Sequence, residues 1–315
     1  MQDKKYKYSE IFGKTIQGEG AYTGTPTVWI RFWGCNLNCN GFGQDNPTDK
    51  STYNLDYQTI NVSSIKHVND LPVFSRGCDS SYSWSTKFAH LANTATVSEI
   101  CDKLESYLIS ASNPSGRFLH PVSNQHIHLA FTGGEPMLNQ HAIVDIMQEF
   151  DNRGNAPKYI TIETNGTQEA REKFQSYFAG KVLTDFMKGS SIAGPLFNSA
   201  ERELFWSVSP KLYLSGELWA DAIKPDILNL YNKISSAGQL KYVSNGSGRS
   251  WDEVTKATKL YRNQDVKWPV WIMPVGADIE GQNKVAASVT EGAVERGYNV
   301  AARVHTYIFG NVVGK

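Results

Sequence analysis

Apolar residues along this chain occur in short runs, and most of these runs end in small polar residues. Runs rich in β-branched and aromatic residues predict strands at 27–33, 126–131, 159–166, 205–211, 239–246 and 270–276. Apolar positions spaced three and four apart predict helices at 98–109, 141–150, 251–261 and 284–297. Strands that alternate with helices predict a parallel α/β sheet, either open or barrel-like. Because active sites of such sheets lie at the C-terminal ends of the strands, the loops after these runs are the candidate functional loops.

Two polar segments interrupt this alternation. Residues 40–77 are rich in Asn, Ser, Thr and Asp and contain Pro47 and Pro72, and their periodicity is weak. Residues 181–204 form a second irregular segment. Polar segments of this length indicate insertions in loops. We therefore predict one domain over 1–315, with insertions at about 40–77 and 181–204.

Composition excludes some classes of function. The chain has 315 residues, with 31 basic and 31 acidic side chains, so net charge gives no reason to expect binding to nucleic acid or to a membrane surface. No apolar run reaches the 18 residues expected of a membrane span. The charged N-terminal residues contain no apolar stretch of a secretory signal. A cytoplasmic protein is expected.

The cysteines give the first chemical signal. Cys35 and Cys39 lie in "FWGCNLNCNGF", directly after a predicted strand. A third cysteine three residues after Cys39 would complete an iron–sulfur cluster loop, but that position is Phe42. Cys78 follows the 40–77 segment, whose ends can stay close because the entropy of loop closure rises slowly with length. Three thiolates suit an iron–sulfur cluster with one open iron, whereas zinc with a water ligand or simple packed cysteines are alternatives. Cys101 is expected to be an ordinary helix cysteine.

Three other stretches carry weaker signals. The loop "TGGEP" at 132–136 has two glycines that permit close backbone approach, and Glu135 could accept hydrogen bonds from an ammonium group. The stretch "IQGEG" at 16–20 could present mixed donors and acceptors to a flat heterocycle. Arg31 lies in the strand that leads to Cys35 and could bind a carboxylate through two parallel hydrogen bonds. Each stretch by itself is also compatible with an ordinary turn or ion pair.

Taken together, these residues resemble the 7-carboxy-7-deazaguanine synthase family of radical S-adenosylmethionine enzymes. The matching stretches are "IFGKTIQGEGAYTGTPTVWIRFWGCNLNC", "CDSSYSW", "TGGEPML", "IETNGT", "VSPK" and "HTYIFGN". The family typically has its three cysteines in a C-x3-C-x2-C motif, and here the stretch that follows its third cysteine begins at Cys78. The resemblance implies that an insertion displaces the third cluster ligand. It also implies a modified, incomplete parallel (β/α) barrel of the radical S-adenosylmethionine type.

The resemblance further implies a lyase reaction that converts 6-carboxytetrahydropterin to 7-carboxy-7-deazaguanine, a precursor in deazapurine and queuosine biosynthesis. A 4Fe-4S cluster on Cys35, Cys39 and Cys78, S-adenosylmethionine and Mg²⁺ are the implied cofactors, with Ser80 on the magnesium. The implied pterin contacts are Ile16, Gln17, Gly18, Arg31 and Thr132. The implied S-adenosylmethionine contacts are Gly134, Glu135, Ser209, Pro210, Lys211, Met273, Pro274, Val275 and Gly276.

The resemblance also implies a homodimer and an external one-electron donor such as a flavodoxin. Two alternative functions stay open at this point. The chain could be a related enzyme that installs a glycyl radical on a partner protein, although "QGEG" and "CDSSYSW" speak against this. It could also be a non-catalytic regulatory protein derived from the family, with the polar insertions as its binding surfaces.

Overall fold

The computed structural model describes residues 4–179, 201–310 and 312–314. Within these residues the central feature is one sheet of nine strands, in the order β3-β1-β2-β4-β5-β6-β7-β8-β9. The strands are β1 Lys5–Ile16, β2 Pro26–Phe32, β3 Asn93–Thr96, β4 His128–Gly133, β5 Tyr159–Thr164, β6 Glu203–Val208, β7 Gly238–Ser244, β8 Val270–Pro274 and β9 Asn299–Val300. Strand β2 and strands β4 to β9 pair in parallel, whereas β1 is antiparallel to β2 and to β3.

The predicted fold class is confirmed. The sheet is mostly parallel, and its two edge strands β3 and β9 do not pair with each other, so the barrel is incomplete. Strand β1 was absent from the sequence prediction. Two irregularities in its pairing with β2 interrupt the alternation of buried and exposed residues that normally reveals a strand.

Helices connect the strands. In the part of the chain that the structure describes, the α-helices are α1 Asp56–Thr59, α2 Val97–Leu108, α3 Gln140–Asn152, α4 Glu172–Phe178, α5 Trp219–Ala222, α6 Pro225–Ile234, α7 Gly248–Asn263, α8 Ile279–Asn283, α9 Ala286–Glu295 and α10 Val304–Phe309. The predictions for α2, α3 and α7 are confirmed to within a few residues. The helix predicted at 284–297 is α9, again to within two residues, and a short helix that was not predicted, α8, precedes it. Among the described residues, no helix combines the length and the apolar character that a membrane span needs.

The two faces of the sheet differ in character. One face carries large apolar side chains such as Phe131, Ile162 and Trp206, which are fully buried against the helices. The other face carries polar side chains, including Thr132, Glu163 and Lys241, which line a cavity. Because successive residues of a strand point to opposite faces, the same strands build the core and the wall of this cavity.

The segment 40–77 has a hydrophobic core of its own. Its buried side chains Leu55, Tyr57, Val68, Leu71 and Phe74 pack with Tyr82, Phe88 and Leu91 from the chain after Cys78. The insertion is therefore an ordered part of the fold, which its polar composition concealed. Of the second predicted insertion, residues 181–200 lie outside the described residues, and Glu203 already begins β6.

We predict that Leu104→Ala in α2 lowers the free energy of unfolding by about 2–5 kcal/mol, because Leu104 is fully buried and its loss leaves a cavity in the core. Urea unfolding followed by circular dichroism measures this. Leu218→Ala is the matched control, since that leucine is 64% exposed and its truncation should cost less than about 0.5 kcal/mol. Equal losses in the two variants would contradict the assignment of the core.

Candidate active site

A cavity of about 770 Å³ opens at the C-terminal ends of the parallel strands. The sequence prediction named eighteen site residues, and the cavity is lined by all of these except Glu135 and Pro210. The lining members are Ile16, Gln17, Gly18, Arg31, Cys35, Cys39, Cys78, Ser80, Thr132, Gly134, Ser209, Lys211, Met273, Pro274, Val275 and Gly276. The fold thus brings together loops that are up to 260 residues apart in the sequence. The individual roles of these residues stay predictions.

Cys78 reaches the cavity because the two ends of the 40–77 insertion lie side by side. The Gly77 backbone N–H donates to the Phe42 carbonyl at 2.7 Å, so the chain returns to the point from which it departed. Phe42 itself lines the cavity. Asp56 holds the C-terminal segment of the insertion in place, since its Oδ2 accepts hydrogen bonds from the backbone N–H groups of Ser75 and Arg76 at 2.8 and 3.0 Å.

The three thiols influence each other electrostatically. Burial raises the pKa of Cys35 to about 12 and raises the pKa values of Cys39 and Cys78. A charge on Cys78 raises the pKa of Cys35 and of Cys39 further, whereas the Lys211 ammonium group lowers both. All three thiols are free of disulfide bonds. They are therefore protonated near neutral pH, and a bound metal centre must displace their protons.

The candidate donor set is three cysteine thiols on the walls of one cavity, and thiolates are the usual ligands of iron–sulfur clusters. Among the described residues, no three His, Cys, Asp or Glu side chains form a group that could hold one metal ion. Zinc ligands would have to meet at one point. The thiolates of an iron–sulfur cluster each bind a different iron, so they stay farther apart, on the walls of one cavity.

The GGEP loop packs directly on the cysteine loop. A Cβ atom on Gly134 would lie 2.4 Å from the Gly34 carbonyl oxygen and 2.6 Å from the Cys35 Cβ, so only glycine fits there. The Glu135 N–H donates to the Gly34 carbonyl at 2.8 Å. Glycine at 134 therefore has a packing reason in addition to any contact with a ligand.

Glu135 lies in a different place from the one expected of an ammonium acceptor. Its side chain is fully buried, and its carboxylate accepts hydrogen bonds from the Met137 N–H, the Thr164 hydroxyl and the Asn165 N–H at 2.7–2.9 Å. Burial raises the pKa of Glu135 in spite of these bonds. In this arrangement Glu135 ties the GGEP loop to the end of β5, and a role on a ligand stays a prediction.

The hydroxyl groups near the cysteines have protein partners. The Ser80 Oγ lies 3.4 Å from the Cys78 Sγ, and the Lys211 Nζ donates to the Ser209 Oγ at 3.1 Å. Among the described residues no group of carboxylates that could hold a metal ion lies beside Ser80. Its role as a magnesium ligand stays a prediction. The neighbouring Asp79 is instead paired with Arg303, at 3.0 Å between Oδ2 and Nη2.

A group of alternating charges lines the cavity beyond the cysteines. The Lys241 Nζ lies 2.6 Å from a Glu19 oxygen and 3.0 Å from a Glu163 oxygen, and the Arg303 Nε lies 2.9 Å from the other Glu19 oxygen. The Gln17 side chain donates to the Glu163 Oε1 at 2.9 Å. Burial alone would raise the pKa of Glu19, but Lys241 and Arg303 together hold it well below its usual range. Burial likewise disfavours a charged Lys241, yet Glu163 and Glu19 raise its pKa, so Lys241 and Glu19 are both charged near neutral pH.

Sequence reasoning did not assign Glu163, Lys241 or Arg303 to the site. One signal was present, because Lys241 is the single charge in the strand "QLKYVS" and its side chain is 4% exposed. A charged residue inside a buried strand indicates a paired or functional group. Arg303 gave no such signal, since its partners Glu19 and Asp79 are 284 and 224 residues away.

Arg31 keeps part of its guanidinium group available. Its Nε donates to the Glu10 Oε1 at 2.7 Å, and the Tyr82 hydroxyl donates to the same oxygen at 2.9 Å. Within the described residues its two terminal nitrogens make no hydrogen bond, and the residue lines the cavity. Arg31 is therefore oriented by Glu10 with donors left for an anion.

In sequence, this chain is similar to proteins that carry the name 7-carboxy-7-deazaguanine synthase. The chain is 29% identical over 167 residues to the 7-carboxy-7-deazaguanine synthase of Bacteroides thetaiotaomicron, a match that covers 53% of this chain and 55% of that protein. It is 24% identical over 298 residues to that of Rhodopirellula baltica, with 94% and 83% covered, and a 34-residue stretch is 59% identical to that of Buchnera aphidicola. The chain spans about half the length of the first of these relatives. No protein-family model matches it.

Solved structures give a weaker similarity. A structure of native anSMEcpe with bound AdoMet and the Cp18Cys peptide has a TM-score of 0.34 and 17% identity, and covers 60% of this chain and 54% of that one. A second structure of anSMEcpe with bound AdoMet has a TM-score of 0.33. Similarity at this level adds nothing to the argument about function.

We predict that Asp56→Ala lowers the iron content of the reconstituted protein, because the segment that leads to Cys78 loses the acceptor of two backbone N–H groups. Loss of a hydrogen bond costs about 1 kcal/mol, so a chelator should strip the iron about fivefold faster. Asp49→Ala is the matched control, since Asp49 caps Ser51 in the same insertion at 3.0 Å, remote in sequence from Cys78. Iron loss at the same rate in both variants would contradict the role of Asp56.

Proposed function

We propose that this protein is a radical S-adenosylmethionine enzyme that converts 6-carboxytetrahydropterin to 7-carboxy-7-deazaguanine and ammonia. The observation that carries the proposal is that one cavity is lined both by three free thiols and by a group of oriented charges. The first set suits a cluster, and the second suits a polar heterocycle that bears a carboxylate. The similarity to curated 7-carboxy-7-deazaguanine synthases supports the same reaction.

The chain's residues fit the proposed cofactors. Cys35, Cys39 and Cys78 would hold the cluster as thiolates, and the backbone around Gly134 and the Lys211 side chain would contact S-adenosylmethionine. When bound, the cluster and S-adenosylmethionine would supply one-electron reduction and radical abstraction of hydrogen from the substrate. The protein's own contribution is to orient the substrate and to shield the radical from solvent.

The charged group supplies the orientation. A pterin ring presents N–H donors and ring acceptors along its edges, and Glu163, Gln17 and Lys241 offer acceptors and donors that are already fixed by mutual hydrogen bonds. Arg31 would bind the substrate carboxylate with its terminal nitrogens. Because these groups are paired before the substrate binds, little side-chain entropy is lost when it enters.

The proposal also covers a magnesium ion, an electron donor, the oligomeric state and the location of the protein. It includes magnesium at Ser80 to hold an oxygen of the substrate, because Mg²⁺ prefers hard oxygen ligands. It also includes an external one-electron donor such as a flavodoxin, a homodimer, and a cytoplasmic location.

Anaerobic turnover tests the proposal. The purified protein is reconstituted with iron and sulfide and mixed with S-adenosylmethionine, magnesium, a reductant and 6-carboxytetrahydropterin, and 7-carboxy-7-deazaguanine is followed by mass. Product supports the proposal, and Cys78→Ala should abolish it. Cleavage of S-adenosylmethionine without product would retain the radical chemistry and reject the substrate, which would favour an activating enzyme. If no cluster forms, the non-catalytic alternative is favoured.

We predict that Lys241→Met lowers kcat/KM for the pterin on the order of 100-fold, because Glu19 and Glu163 lose their shared partner and misplace the substrate. Cleavage of S-adenosylmethionine in the absence of pterin should continue, since Lys241 belongs to the charged group and the cysteines hold the cluster. Lys267→Met is the matched control, because that lysine is 81% exposed. A parallel loss of both reactions in Lys241→Met would instead mean that the lysine supports the whole cavity.

A further inference from the structure

Glu217 binds the backbone of the loop between Cys35 and Cys39 through hydrogen bonds. The backbone N–H groups of Asn38 and Cys39 donate to its Oε1 at 2.8 and 2.6 Å. The same turn holds the loop a second time, because the Gly41 N–H donates to the Ser215 carbonyl at 2.9 Å. A Cβ on Gly41 would lie 2.5 Å from the Gly216 nitrogen, so the two backbones touch. One carboxylate is therefore locked beside Cys39.

The backbone of Cys39 needs such support. Its φ of +52° lies in the left-handed region, where side chains with a Cβ are disfavoured. A conformation of this kind persists only where the surrounding bonds enforce it. Glu217 binds the N–H of this residue and of the preceding one, so it fixes the direction of the Cys39 side chain as well as the backbone.

The hydrogen bonds to Glu217 also change the electrostatic environment of the Cys39 thiol. Two backbone N–H groups in a cysteine loop are engaged by a carboxylate, so they cannot donate to sulfur atoms. The carboxylate also adds a negative charge next to Cys39, on which it acts electrostatically. Net charge and hydrogen bonds to sulfur are two of the properties that set the reduction potential of an iron–sulfur cluster, and both effects of Glu217 disfavour the added electron.

We propose that Glu217 is a positioning residue that holds Cys39 and lowers the reduction potential of the cluster, an inference that rests on the proposed function. A low potential makes the reduced cluster a stronger electron donor to S-adenosylmethionine. The residue lies outside the short motifs on which the family resemblance in the sequence rests. Its role follows from the two hydrogen bonds and the charge.

The decisive variant is Glu217→Gln. Both N–H groups donate to one oxygen, so the amide oxygen of glutamine can accept both bonds, and the substitution removes the charge alone. The midpoint potential of the reconstituted cluster is measured by an anaerobic redox titration followed by electron paramagnetic resonance. We expect an unchanged iron content and an about tenfold shift of the reduction equilibrium toward the reduced cluster, which corresponds to a potential about 59 mV less negative for one electron.

Glu253→Gln is the matched control. Its carboxylate also accepts a backbone hydrogen bond, from the Tyr213 N–H at 2.8 Å, but this bond is not to the cysteine loop. This variant should keep the potential of the unsubstituted protein. Glu217→Ala removes the acceptor as well, and we expect it to lower the iron content.

The outcomes separate the inference from the proposed function. A potential that is the same in Glu217→Gln, Glu253→Gln and the unsubstituted protein would overturn the inference and leave the radical chemistry intact. A shift of equal size in both Gln variants would also overturn it, since the effect would then be general. If the unsubstituted protein binds no cluster, the proposed function and the inference fall together.

Discussion

The architecture of the site depends on the closure of the 40–77 insertion at its base. The hydrogen bond from Gly77 to the Phe42 carbonyl joins the two ends, and the chain continues at once to Cys78. Without this closure the third thiol would have no fixed relation to Cys35 and Cys39. The entropic cost of closing so long a loop is met locally, because the insertion buries its own cluster of aromatic and aliphatic side chains, including Tyr57 and Phe74.

A second constraint is the burial of charge. Four charged side chains and the Gln17 amide meet in the cavity. Burial of any one of these charges alone would destabilise the fold, and the pairing of opposite charges offsets that cost. The alternation runs from Glu163 through Lys241 and Glu19 to Arg303 and then to Asp79, next to Cys78. One chain of ion pairs thus connects the polar wall of the sheet to the cysteine segment. Displacement of one of these groups would break its ion pair and leave its neighbour with an unpaired charge.

The sheet explains why loops from distant parts of the sequence share one cavity. Parallel strands place their C-terminal ends at one edge, so the loops after β2, β4, β6 and β8 converge there. This rule predicted from the sequence that these loops converge, whereas most of the individual site residues came from the family resemblance and their roles stay predictions. It could not foresee that Glu135 turns its carboxylate into the protein, because that depends on the backbone N–H groups of β5 and of its own loop. Nor could it find Glu217, whose partners lie 178 and 179 residues earlier.

The sequence by itself determined the alternation of strands and helices and the loops at the strand ends, and it marked the cysteines as candidate metal ligands, because periodicity and residue type act over short distances. Only the tertiary structure decided that 40–77 is an ordered unit, that Cys78 lies on the same cavity as Cys35 and Cys39, and which charges pair. The physical reason is that ion pairs and backbone hydrogen bonds between distant residues require no pattern in the sequence. They require only that the fold bring the two partners within reach.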